Sequence, residues 1–136
     1  MEAPPHLLLV DDDPSLRAML GWAFEDLGYR VSAVGSIGAA LGRARRGRID
    51  YAILDYGLPD GTGEALLRAL HRLQPEIQAV ILSAEGSEER RRAARRAGAL
   101  EFLLKPVPLK TLHYLLTACP VAPTSSRRQG SATPAG

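Results

Sequence analysis

A chain of 136 residues is long enough for one domain with a hydrophobic core and too short for two comfortable ones. With 46% apolar and 24% charged residues it has a globular balance rather than a disordered one, and no apolar run approaches the roughly 20 residues of a membrane-spanning helix. The net charge is +2, and all of that excess comes from Arg127 and Arg128: residues 1–120 are neutral overall, which argues against direct nucleic-acid binding.

The N-terminal Met-Glu-Ala-Pro-Pro-His lacks the basic-then-apolar layout of a signal peptide, so a cytoplasmic location is expected. His6 to Val10 runs Leu7-Leu8-Leu9-Val10 without alternation, the pattern of a strand buried on both faces. It delivers Asp11, Asp12 and Asp13 to Pro14, where Asp13 is placed to cap a helix and Pro14 to open it. Leu16, Met19, Leu20, Ala23, Phe24 and Leu27 then recur at helical spacing, and Gly28 closes the helix. Tyr29 to Val34 reads as a second strand. A second helix opens at Ser36, turns Ile37, Ala40, Leu41 and Ala44 inward, and stops at Gly47.

Ile49 to Leu54 reads as strand three and hands Asp55 to the turn Tyr56-Gly57-Leu58-Pro59-Asp60-Gly61-Thr62. Asp60, in its Pro-Asp-Gly setting, reads as a turn residue. Leu66, Ala69, Leu70 and Leu73 mark helix three, ended at Pro75, and Gln78 to Leu82 is strand four, with Ser83 at its end. An arginine-rich helix spans Glu85 to Ala97, capped by Gly98. Leu100 to Leu104 is strand five, broken by Lys105-Pro106. Leu109, Leu112, Leu115, Leu116 and Cys119 mark a short last helix. Residues 120–136 have linker composition. Cys119 is the only cysteine, which excludes an internal disulfide and a cysteine metal cluster. His6, His71 and His113 show no metal-ligand spacing.

Five strands alternating strictly with five helices imply an α/β fold: a parallel sheet with helices on both faces and right-handed crossovers. The flavodoxin-like (βα)5 strand order 2-1-3-4-5 suits it. In a parallel sheet the carboxyl ends of all strands share one edge. Asp11, Asp12, Asp55, Ser83 and Lys105 therefore converge there. Three adjacent carboxylates repel one another, and a hard divalent cation such as Mg²⁺ relieves the repulsion. Lys105 and the Ser83 hydroxyl suit phosphoryl oxygens, and together the group reads as a site that forms an aspartyl phosphate.

These segments resemble the receiver domain of bacterial two-component response regulators, the CheY-like family. The resemblance rests on Leu9-Val10-Asp11-Asp12-Asp13-Pro14, Leu54-Asp55 with Pro59 four residues on, Ile81-Leu82-Ser83-Ala84, and Phe102-Leu103-Leu104-Lys105-Pro106. It covers residues 6–119 as the receiver domain and leaves 120–136 as a flexible tail or linker. The resemblance implies Asp55 as phosphoacceptor. Mg²⁺ would be held by Asp12 directly, by Asp11 largely through water, by Asp55, and by the Gly57 backbone carbonyl. Ser83 and Phe102 would be the switch pair, Lys105 would hold the phosphate, and the Lys105-Pro106 bond would be cis.

It further implies a sensor histidine kinase or histidine phosphotransfer protein as donor and a downstream effector protein as reader. The fourth helix, fifth strand and fifth helix would be the docking face and the place for a weak homodimer. Such a chain phosphorylates and dephosphorylates itself as a signalling switch, with no separate substrate to turn over. Gly57, Ser83 and Val107 depart from commoner family choices (a side chain, Thr and Phe). Fewer than twenty residues follow Pro120, too few for a helix-turn-helix output unit. Two alternatives stand beside this reading. One is a phosphorylation-independent interaction module on the same fold, against which the intact acidic set argues. The other is a flavodoxin, against which the lack of a Ser/Thr/Gly-rich phosphate loop after strand one argues.

Overall fold

The unalternating apolar runs become the middle of the sheet. In the computed structural model, which describes residues 3–118, the elements are β1 (His6–Val10), α1 (Pro14–Asp26), β2 (Arg30–Val34), α2 (Ile37–Ala44), β3 (Tyr51–Asp55), α3 (Gly63–Leu73), β4 (Gln78–Ser83), α4 (Glu88–Arg96), β5 (Glu101–Leu104) and α5 (Leu109–Ala118). The five strands pair in parallel in the order β2-β1-β3-β4-β5, as expected. Every residue of β1 and of β3 is buried, which requires cover on both faces. The expectations for Cys119 and for residues 120–136 lie outside the described residues.

Side chains of β1 and β3 alternate between two cores. Leu8, Val10, Ala52 and Leu54 meet α2, α3 and α4 through Ala40, Leu66, Leu67, Leu70, Ala94 and the β5 ring of Phe102. Leu7, Leu9, Tyr51 and Ile53 meet α1 and α5 through Leu20, Phe24, Leu112 and Leu116. Burying one such Leu or Phe side chain stabilises the fold by about 1.5–3 kcal/mol, so these two layers hold the sheet edge rigid.

The caps follow the sequence closely. The Asp13 carboxylate accepts from Ser15 N and Leu16 N with Pro14 in the first turn, and Ser36 Oγ accepts from Ala39 N. Gly28 and Gly98 follow the ends of α1 and α4 with positive φ. The differences lie in faces and boundaries. In α1 the buried residues are Leu20, Gly21 and Phe24, while Met19 and Leu27 point outward, because a helix lying on one sheet buries a narrower stripe than its apolar spacing offers. In α3, Leu67 is buried and Leu73 exposed. The fourth helix starts at Glu88 rather than Glu85. Ser87 is its N-cap, accepting from Arg90 N, and residues 84–87 are held in a loop by Ser83. The Gly57–Leu58 and Gly61–Thr62 segments pair as a short antiparallel ladder inside what reads in sequence as plain loop.

Candidate functional site

Four of the five sheet-end residues, Asp11, Asp12, Asp55 and Lys105, meet where the topology sends them. Asp11 follows β1 with its backbone N–H bonded to the Val34 carbonyl, so the end of β2 fixes it. Asp55 is the last residue of β3, beside Leu82 of β4. Tyr56 N–H continues the ladder to the Leu82 carbonyl at 2.7 Å, and Gly63 N–H returns to the Tyr56 carbonyl at 2.7 Å. A Cβ on Gly63 would lie 2.5 Å from the Asp55 carbonyl oxygen, so only glycine lets the start of α3 close against the strand end.

Asp11, Asp12 and Asp55 each offer a carboxylate oxygen within 4.8 Å of the others. Asp11 and Asp55 are buried and Asp12 is exposed. Lys105 Nζ reaches from the end of β5 and bridges the two buried carboxylates, 2.9 Å from Asp11 Oδ2 and 3.2 Å from Asp55 Oδ1. The other oxygen of Asp11 accepts from Asp13 N at 2.9 Å, and Arg17 donates to the Asp11 carbonyl at 2.8 Å. Burial raises the Asp55 carboxyl above its ordinary range; Asp11 and more weakly Asp12 push the same way, and Lys105 opposes them. Burial alone would lower Lys105, but its contacts with Asp11 and Asp55 outweigh it, so the ammonium stays charged. The arrangement is a buried carboxylate beside the Lys105 ammonium, within a cluster of hard oxygen donors.

Ser83 and Phe102 stand apart from this triad. Ser83 is buried, and its hydroxyl donates to the Glu85 carbonyl at 2.6 Å while accepting from Glu85 N at 3.2 Å. The Phe102 ring is fully buried in the α2–α3–α4 core, edge-on to Tyr56 at 6.4 Å between centroids. Gly57 is exposed in the short ladder, paired with Thr62. The Lys105–Pro106 peptide is cis.

Asp60 does more than turn the chain. Its carboxylate accepts from Ile37 N at 2.9 Å and Gly38 N at 3.0 Å, capping the start of α2 from the loop after β3, and these bonds hold its carboxyl below the ordinary range. Gly61 beside it has φ +151°, and a Cβ there would meet Ile37 Cδ1 at 2.7 Å. The sequence signal for this contact is faint, since a Pro-Asp-Gly turn does not say which helix lies opposite. Arg17, Gly63 and the second role of Asp60 escape a reading by strand ends, because each depends on a contact with another element. His71 meets the Ile77 carbonyl at 2.9 Å and His113 the Tyr29 hydroxyl at 3.1 Å, far from one another in the fold and without metal geometry.

Comparison with known proteins agrees with this edge. The response regulator receiver domain family matches residues 7–117. Transcriptional regulatory protein GlrR of Escherichia coli K12 is 36% identical over 113 residues, which are 83% of this chain and 26% of that protein. The chain thus spans about a quarter of the length of that relative. Among solved structures, a CheY-like receiver domain protein from Methanospirillum hungatei JF-1 superposes with a TM-score of 0.81 at 27% identity, covering 85% of this chain and 92% of the other. A Burkholderia pseudomallei response regulator, solved with a phosphorylated aspartic acid, a calcium ion and citrate, has a TM-score of 0.78 at 25% identity over 82% of this chain and 66% of its own. Among the described residues no helix is long and apolar enough to cross a membrane. With a (βα)5 sheet in the order β2-β1-β3-β4-β5 and an acidic cluster at its carboxyl edge, the chain belongs to the response regulator receiver domains of two-component systems.

Proposed function

We propose that Asp55 is the phosphoacceptor of this receiver, taking a phosphoryl group from a phosphohistidine of a sensor kinase or phosphotransfer protein. The observation that carries this reading is the Lys105 ammonium held between the carboxylates of Asp11 and Asp55. An Asp55 carboxylate oxygen attacks phosphorus, the phosphorus–nitrogen bond to the donor histidine breaks, and the released imidazole nitrogen takes up a proton. An acyl phosphate on Asp55 results. Lys105 is placed to keep one phosphoryl oxygen neutralised while holding Asp55 in line. The Ser83 hydroxyl is the donor for a second oxygen once it turns from Glu85. Phe102 follows that turn, and the face made by α4, β5 and α5 carries the change to an effector or a second copy.

The donor set fits Mg²⁺: three carboxylate oxygens within 4.8 Å are the hard ligands such a cation takes, with the Gly57 carbonyl a further one. Bound there, the ion supplies charge neutralisation for both the carboxylates and the incoming phosphoryl group. The phosphorylated aspartate and calcium ion of the Burkholderia relative support the same chemistry. In this reading the chain turns over no separate substrate and works in the cytoplasm.

Incubation with acetyl phosphate and Mg²⁺, followed by intact mass, tests it. One phosphoryl gain, stable in acid and lost in base, is expected for the natural chain and absent in Asp55→Asn. No gain from acetyl phosphate or from a phosphorylated histidine partner would favour a receiver fold that acts by phosphorylation-independent contact.

A further inference from the structure

Arg90 lies in the first turn of α4 and touches three groups around the site. Its Nη1 donates to Ser83 Oγ at 3.1 Å, its Nη2 stands 3.6 Å from a Glu85 carboxylate oxygen, and its guanidinium carbon lies 4.4 Å from the centroid of the Tyr56 ring. Tyr56 directly follows Asp55, and its backbone is pinned on both sides, by the Leu82 carbonyl and by Gly63 N–H. The guanidinium is therefore anchored to the frame of the site itself. A planar guanidinium can stack on a ring and donate at its rim at once, which a lysine cannot do.

The consequence falls on Ser83. A serine hydroxyl has one proton, and here it goes to the Glu85 carbonyl. While it does, Ser83 has no donor for a phosphoryl oxygen on Asp55. Arg90 fills an acceptor position of the same oxygen with a charge-assisted bond, which favours the orientation already engaged with Glu85. The next residue acts alongside: Arg91 lies over the Phe102 ring at 5.4 Å and donates to the Phe102 carbonyl at 3.3 Å. One turn of α4 thus grips both members of the switch pair.

We propose that Arg90 is a positioning residue that latches Ser83 away from Asp55 and so sets how readily this receiver becomes phosphorylated. The proposal rests on the phosphoacceptor reading above. Phosphorylation draws on the fraction of molecules with Ser83 released, so loosening the latch raises that fraction.

The test compares the natural chain, Arg90→Ala, Ser83→Ala and the double variant in acetyl phosphate and Mg²⁺, by intact mass over time. Arg90→Ala is expected to raise the initial rate of phosphoryl gain about fivefold, the low end of ordinary coupling between sites. The same change in the Ser83→Ala background is expected to do nothing, because the latch then has nothing to hold. A rate for Arg90→Ala equal to or below that of the natural chain overturns the latch, the lower rate pointing instead to a guanidinium that helps the phosphoryl group. An equal gain in both backgrounds also overturns it.

Hydrogen exchange on the unphosphorylated proteins gives a second reading. The Glu85 amide, which donates to Ser83 Oγ, is expected to exchange faster in Arg90→Ala. Unchanged exchange overturns the latch whatever the phosphorylation result. A natural chain that gains no phosphoryl group defeats the phosphoacceptor reading; a natural chain that gains one, with no effect of Arg90, defeats the latch alone.

Discussion

The two edges of the sheet handle buried polar groups in opposite ways. At the carboxyl edge, Asp11 and Asp55 face each other with Lys105 between them, and Asp55 still sits above its ordinary carboxylate range. At the amino edge, His6 is equally buried, yet its neighbours satisfy it. Its Nδ1 meets the Arg48 carbonyl at 2.9 Å, and its Nε2 meets Ser32 Oγ at 2.7 Å. Arg43 donates to that same Ser32 Oγ at 2.8 Å. Gln74 closes the region by accepting from Ile49 N and donating to the carbonyls of Ala44 and Gly47. One edge stores repulsion that a cation and a phosphoryl group can relieve. The other is a finished network that secures strand ends and helix ends.

Changes at the two edges should therefore separate activity from stability. The largest effect is expected from Lys105→Ala, which removes the cation beside Asp55, the proposed phosphoacceptor: phosphoryl gain by intact mass should slow roughly a hundredfold. Its circular dichroism should stay that of the natural chain. Gln74→Ala is the mirror case. It leaves partly buried backbone groups unpaired at a cost of about 1–3 kcal/mol, read in urea unfolding, with the rate of phosphoryl gain unchanged.

A smaller shift, of opposite sign, is expected from Asp55→Asn. Since burial and Asp11 disfavour the charged Asp55 in the fold, the neutral amide should raise the unfolding midpoint at neutral pH. Added Mg²⁺ should raise the midpoint of the natural chain more than that of the variant.

The smallest expected effect is the pH dependence of the amino edge. Burial lowers His6 from its ordinary 6.5, and the charges of Arg30 and Arg43 add to that, while the Arg48 carbonyl and Asp50 oppose. The unfolded chain thus takes the proton first. This contribution to stability is fully present above the unfolded value and is lost as pH falls below about 6.5. Asp55 runs the other way and at lower pH: its raised folded value means that ionisation weakens the fold as pH rises through the carboxylate range. Unfolding midpoints from neutral to mildly acid pH should fall in Asp55→Asn and fall less in Asp55→Asn/His6→Gln. Equal slopes would remove His6 from the comparison.

How much of this was legible depends on the range of the interaction. Strands, caps and the meeting of Asp11, Asp12, Asp55 and Lys105, with Ser83 at the end of a strand on the same edge, follow from local apolar runs, from capping residues beside helix starts, and from the rule that parallel strands end on one edge. Helix faces were legible only in part. The apolar spacing of α1 admits Met19 and Leu27, and packing on a single sheet leaves both exposed. The start of α4 lies later than its sequence suggests, because Ser83 engages the Glu85 backbone in the preceding loop and Ser87 caps the helix at Arg90 N.

By itself the sequence determined the order of elements, the sheet topology and which side chains reach the carboxyl edge, since these are set by short-range periodicity and by chain handedness. Only the tertiary structure decided how those side chains are held. That Lys105 bridges Asp11 and Asp55, that Asp60 caps α2, that Gly63 closes on the Asp55 carbonyl and that Arg90 grips Ser83 over the Tyr56 ring all depend on distances between separate elements. Such distances are fixed when the two cores pack the helices against the sheet, and no local pattern carries them.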